Sequence, residues 1–215
     1  MSGVRHVQAA LALRGAGEAW VRSLRGAEEV SRAYRYELAF AATSLDLELA
    51  NGGPVAVHLE APDGDERFVS GVVERLVLDA RDATVRPEAL SGVATIVPLA
   101  HLVLSRRRGF RIFQDRTVPQ IVQTICEDAG LHPDGFDWRL RDGHAPRVYC
   151  VQYDETEWDF VCRLLEDEGV AFRFEHEPDG ATMVFFDRSE HAERVEPASL
   201  PFSGRQPIAA PCFFG

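Results

Sequence analysis

Along "YRYELAF", Tyr34, Tyr36, Leu38 and Phe40 alternate with Arg35, Glu37 and Ala39. A period of two is that of a strand with one buried face. Val55, Val57 and Leu59 repeat the pattern, Pro62-Asp63-Gly64 supplies a turn, and Phe68 to Leu78 carries the return strand. "GVATIVPLAHLVL" is a further apolar run, in which Pro98 predicts a break or a sheet edge. Strands at this spacing, with no helix between them, predict a barrel or sandwich over residues 1–105.

The period changes near residue 106. In "DRTVPQIVQTICEDAGL", Val118, Ile121, Val122, Ile125, Cys126 and Ala129 fall at helical spacing. Thr117 is the expected N-cap, Gln120 completes a Thr-x-x-Gln capping box, Pro119 sits in the first turn, and Gly130 ends the run. A second helix is expected from Thr156, with Asp159 as the box acid. Its core stripe is Trp158, Val161, Cys162 and Leu165, widened by Phe160 and Leu164, and Gly169 is its stop. Asp159, Arg163, Glu166 and Asp167 fall on the outer face. Val170, Phe172, Phe174 and His176 then alternate as a strand, Pro178-Asp179-Gly180 turns the chain, and "ATMVFFD" returns as the second strand of a hairpin. The expected fold is α+β and mainly β. A barrel-like N-terminal domain (1–105) precedes a small α/β domain (106–190) with two helices and a β-hairpin. Residues 191–215, proline-rich and aperiodic, read as a linker or tail.

A net charge of −11 argues against nucleic acid and anionic membrane as partners, since both repel an acidic surface. The one basic run, Arg106, Arg107, Arg108 and Arg111, reads as a solvated loop or as ion-pair partners for acidic neighbours. Cys126, Cys150, Cys162 and Cys212 form no CxxC pair, which points to a reducing compartment rather than a disulfide scaffold. The N-terminal apolar patch is short and broken by Arg14, unlike a signal peptide. No stretch approaches the roughly 18 apolar residues of a membrane span.

Chemistry finds little support. There is no GxSxG, GxxxxGK[ST] or HExxH motif, and Gly15-Ala16-Gly17 lacks the third glycine of a dinucleotide fingerprint. Cys126 and Cys162 lie on core stripes and Cys150 in a strand-like run, so packing is their expected role. Cys126, Cys150, Cys162 and His176 lack the close ligand pairs of a zinc site. Glu155, Glu157 and Asp159 stand at a helix N-terminus, where carboxylates are favourable. Glu166, Asp167 and Glu168 stand at the unfavourable end; solvation alone accounts for that, and an interface partner is the alternative to test. A hydrolase using Asp154, Glu155 or Glu157 with His176 has no motif behind it. No catalytic, cofactor-binding or metal residue is assigned, and no cofactor.

The blocks "RIFQDRTVPQIV" (111–122) and "YCVQYDETEWDFVCRLLEDEGVAFRFEHE" (149–177), with "YRYELAF" (34–40), resemble in order and spacing the N-terminal part of VgrG, the valine–glycine repeat protein of type VI secretion. The resemblance covers most of residues 20–190. It implies a structural part similar to the baseplate hub of contractile phage tails, with barrel-like domains and an inserted α/β domain. Such hubs assemble as homotrimers that join a hexameric tail tube to a spike. Baseplate proteins, and an effector or chaperone, are the further partners implied. A hub of this kind is made in the bacterial cytoplasm and exported by injection without a signal peptide. An alternative is a truncated adaptor that binds cargo, chaperone or tube protein without forming a spike. "PCFFG" falls about where the family's second barrel would begin.

Overall fold

The computed structural model describes residues 8–61, 64–79 and 89–188. Six strands, β1 (Gln8–Leu13), β2 (Ala19–Ala27), β3 (Arg35–Ala42), β4 (Pro54–Glu60), β5 (Glu66–Asp79) and β6 (Leu90–Val97), share one sheet in the order β1-β4-β5-β6-β3-β2. Every pair is antiparallel. Register shifts between Val21 and Ser23 and between Val73 and Arg75 bend the sheet. Edge strands β1 and β2 come side by side without a shared ladder, leaving a nearly closed barrel.

The alternation that defines "YRYELAF" is met by burial. Tyr34, Tyr36, Leu38 and Phe40 turn inward onto Val55, Val57, Val69, Val73 and Ile96. Gly71 is required where the chain closes on itself, because a Cβ there would stand 2.6 Å from the Val97 carbonyl oxygen and 2.7 Å from the Tyr34 hydroxyl. Pro62 and Asp63 lie outside the described residues; Gly64 donates its backbone N–H to the Ala61 carbonyl with φ +93°, as a turn glycine does.

Two short helices interrupt the β region where the sequence reading expected none. Helix α1 (Leu47–Ala50) is capped by the Asp46 carboxylate, which accepts from the Glu48 and Leu49 N–H groups. Helix α2 (Leu99–Leu104) takes the second half of "GVATIVPLAHLVL". Pro98 does break the strand, and the good helix formers Leu and Ala then coil rather than extend.

The second half runs β7 (Arg108–Phe113), α3 (Val118–Asp128), β8 (Phe136–Arg139), β9 (Cys150–Thr156), α4 (Glu157–Glu168), β10 (Ala171–Glu177) and β11 (Gly180–Phe186). A 3-10 turn at Pro133–Gly135 leads into β8. β7 and β9 form an antiparallel ribbon; β10, β11 and β8 form a three-stranded sheet in which β8 runs parallel to β11.

The expected capping box of α3 is complete, with Thr117 accepting from the Gln120 N–H and Gln120 accepting from the Thr117 N–H. At α4, Thr156 accepts from the Asp159 N–H. The Asp159 carboxylate meets the Thr156 hydroxyl at 2.7 Å rather than the cap backbone. Gly169 ends α4 in the left-handed region at φ +73°.

Val118, Ile121, Val122, Ile125, Phe160, Val161, Leu164, Leu165, Phe172 and Phe185 fill a core distinct from the barrel's, and Phe174 packs against both.

Candidate assembly surface

In its middle the β7–β9 ribbon has its polarity reversed. Alternation along β7 sends Phe110 and Ile112 outward, where they are 66% and 62% exposed, beside Tyr153 of β9 at 75%. The Phe110 and Tyr153 rings meet edge to face with centroids 5.2 Å apart. Val148 and Tyr149, just before β9, are also exposed. Of the inward positions, Phe113 and Cys150 join the helical core, but Arg111 and Gln152, which face each other across the ladder, are polar. Gln152 is fully buried, and Arg111 reaches Asp128 at 3.1 Å and Glu157 at 3.7 Å. Contiguous exposed apolar side chains on one face are the usual mark of an interaction surface.

Arginines hold this inversion in place. Glu157, at the first turn of α4, is buried and accepts from Arg107 Nε at 2.6 Å; its backbone N–H donates to the Arg107 carbonyl at 2.8 Å. Asp154 is the extra residue of a bulge opposite Gly109 and Phe110 and stands at φ +47°. Arg108 Nε bonds its carboxylate at 2.9 Å. Of the two readings open for the basic run, ion pairing is therefore the one seen for Arg107, Arg108 and Arg111. Glu157 stands at the N-terminus of α4 as expected, and there it is buried, 4% exposed.

The hairpin β10–β11 joins the barrel through a second polar cluster. His176 of β10 accepts from the Ser70 backbone N–H at Nδ1 (3.1 Å), and its Nε2 lies 3.5 Å from a Glu28 oxygen. Ser70 Oγ donates to the Gly180 carbonyl at 2.6 Å, and the Tyr34 hydroxyl donates to the Ser70 carbonyl at 2.6 Å. Glu28 also accepts from the Tyr36 hydroxyl and from Arg67 Nη2 at 2.7 Å. The approach of His176, then the hydrogen bond with Tyr36 and the charge of Arg67, outweigh burial and hold the Glu28 carboxyl at about 2.

Glu28 thus binds its proton more weakly folded than unfolded. Its contribution to stability is complete above about pH 4.5 and is lost as the pH falls from there toward 2. Urea unfolding at pH 6 and pH 2.5 should show wild type losing on the order of 2 kcal/mol more than Glu28→Gln over that interval. Equal losses would remove the cluster's role in the joint.

The other sequence candidates are dispersed. Burial, then Glu157 and Glu127, push the Cys126 thiol up to about 12; burial, then Asp159 and Glu166, do the same to Cys162. Burial also raises Cys150. All three are thiols at neutral pH and pack in or against the helical core. His176 belongs to the joint, whereas Asp154, Glu155 and Glu157 each pair with an arginine of their own neighbourhood. Among the described residues, no group of three or more His, Cys, Asp or Glu side chains is arranged to hold a metal ion. No helix among them is long and apolar enough to cross a membrane. The acidic end of α4 finds partners within the chain: Glu168 meets Arg147 at 3.0 Å and His144 at 3.1 Å, and Asp167 meets Arg147 at 3.6 Å. The Arg147 guanidinium offsets the unfavourable end of the helix, so no external partner is needed to explain Asp167 and Glu168.

A family model of the phage tail baseplate hub (GPD) matches residues 27–211. The chain belongs to the phage tail baseplate hub family. It corresponds to the N-terminal, hub-like region of VgrG. The hub chain is 33% identical over 185 residues to the type VI secretion system spike protein VgrG1a of Pseudomonas aeruginosa, covering 85% of this chain and 28% of that protein. VgrG4b of the same organism is 36% identical over 170 residues, 78% of this chain and 20% of that protein. The hub chain thus spans between a fifth and a third of these curated relatives. Among solved structures, the Escherichia coli c3393 protein, a type VI secretion component described as similar to phage T4 tail proteins, superposes with a TM-score of 0.66 at 22% identity. That match covers 83% of this chain and 51% of that one. The 43 kDa tail protein of Shewanella oneidensis prophage MuSo2 has the same fold, with a TM-score of 0.55 at 15% identity over 85% of this chain and 56% of that one.

Proposed function

We propose that the hub chain is a structural part of a contractile injection apparatus of the type VI kind. In this reading it joins a hexameric tail tube to a spike for delivery of effectors, does no catalysis itself, and leaves the cytoplasm with the apparatus. Copies assemble as a homotrimer, with the outward face of the β7–β9 ribbon as an assembly surface. The division near residue 105 into a barrel and an α/β unit belongs to the same proposal, and the two hydrophobic cores support it. Effector partners are supported by analogy with Francisella, whose VgrG has been solved in a complex with PdpA.

The observation that carries this reading is the reversed ribbon. A strand pair that buries Gln152 and turns Arg111 inward while exposing Phe110, Ile112 and Tyr153 is built for contact with another surface. Light scattering over a concentration series should give a mass rising above that of the 23.9 kDa chain. Phe110→Asp with Tyr153→Asp should hold the protein at the single-chain mass with its far-UV circular dichroism unchanged, although the opposed carboxylates lower its melting temperature. Wild type that stays a monomer at every concentration and binds no hydrophobic dye would overturn the surface.

A further inference from the structure

In a different sheet from the ribbon, the edge of the three-stranded sheet offers a second kind of contact. β8 pairs with β11 along one side, and along the other it meets no strand among the described residues. A strand with an unsatisfied edge is a template for an added strand. Beside it lies a cavity of about 230 Å³ lined by Gln123, Cys126 and Glu127 of α3, by Leu131, and by Phe136 and Trp138 of β8. That volume is smaller than the roughly 300–1,000 Å³ of small-molecule sites and suits a single large side chain. Its walls are firm: Trp138 stacks on Phe185 with centroids 4.0 Å apart, and Cys126 and Leu131 are buried. Its rim carries a negative charge, because Glu127, which accepts from Gln123 Nε2 at 2.7 Å, belongs to it.

The geometry points to a docking site for an extended peptide segment of a partner protein. The segment pairs its backbone with the edge of β8 that no described strand occupies, places one large apolar side chain in the cavity, and sets a Lys or Arg against Glu127. An unpaired strand edge selects extended backbone, and alternate side-chain pockets give such sites their specificity. The cavity selects one apolar anchor. The carboxylate at its rim, in a chain of net charge −11, selects a basic flank. Neither the ribbon nor the joint at His176 takes part, so the site is independent of the assembly surface.

The probe is a short fluorescein-labelled peptide of alternating Val and Lys with one central Phe, followed by fluorescence anisotropy. Saturable binding is expected, with slowed amide exchange over residues 136–139. Gln123→Trp, an exposed position that the larger ring would use to cover the cavity, should weaken binding at least about tenfold, as should Phe to Ala in the probe. N-methylation of alternate probe residues should abolish it. Glu127→Arg, also exposed, gives a second variant and should weaken binding of this basic probe. No saturable binding, or binding indifferent to these changes, overturns the site. The light-scattering mass of Gln123→Trp should match wild type, so failure here and failure of the assembly surface are read separately.

Discussion

Replacing Phe172 with alanine is expected to lower the unfolding free energy by about 3–5 kcal/mol, the range for truncating a buried aromatic side chain. Phe172 is 1% exposed and lies among the rings of Trp158, Phe174 and Phe185, with centroids 5.8, 6.0 and 6.4 Å away. Trp158 belongs to α4 and Phe185 to β11, so the cavity would open where helix and hairpin pack together. The backbone of Phe172 also accepts from the Ser31 N–H at 2.7 Å, which ties the loop after β2 to the same place. Those tethers limit collapse into the void, which favours the upper part of the range. Urea unfolding checks it, and a loss below about 1 kcal/mol would mean that the hairpin does not depend on this packing.

The second large effect concerns Glu157. Arg107→Ala removes its 2.6 Å partner and leaves a carboxylate buried with only Arg111, 3.7 Å away, and the α4 N-terminus to compensate. Breaking one side of a buried ion pair costs about 3–5 kcal/mol when nothing else helps, so about 3 kcal/mol is expected here. The double variant Arg107→Ala/Glu157→Gln separates causes, because Gln carries no charge to strand. It should be more stable than Arg107→Ala alone. A double variant as unstable as the sum of the two single changes would mean that the pair does not interact.

What the sequence made legible follows from what periodicity measures. Tyr34, Tyr36, Leu38 and Phe40 could be placed inward because β3 buries one face, and the stripe of α3 because Thr117, Gln120 and Gly130 mark its ends. The hairpin β10–β11 had both its alternation and its turn. Helix α2 was hidden because a run that is apolar throughout has no period to separate strand from helix. The ribbon was hidden for a sharper reason. "RGFRIF" does alternate, but the rule that apolar residues turn inward fails there, because Glu157 and Asp128 draw Arg111 inside. Glu157 lies 46 residues from Arg111 in sequence, and no local pattern connects them. The partners of Asp167 and Glu168 were out of view for the same reason, since Arg147 and His144 come from a separate loop.

The most direct measurement of hub function is native mass spectrometry of the chain mixed with the tail-tube protein of its own apparatus. Three copies of the chain on one hexameric tube ring is the expected stoichiometry, lost when Phe110 and Tyr153 both become Asp. No complex with the tube ring, or a single copy whose binding survives those two substitutions, would contradict the hub.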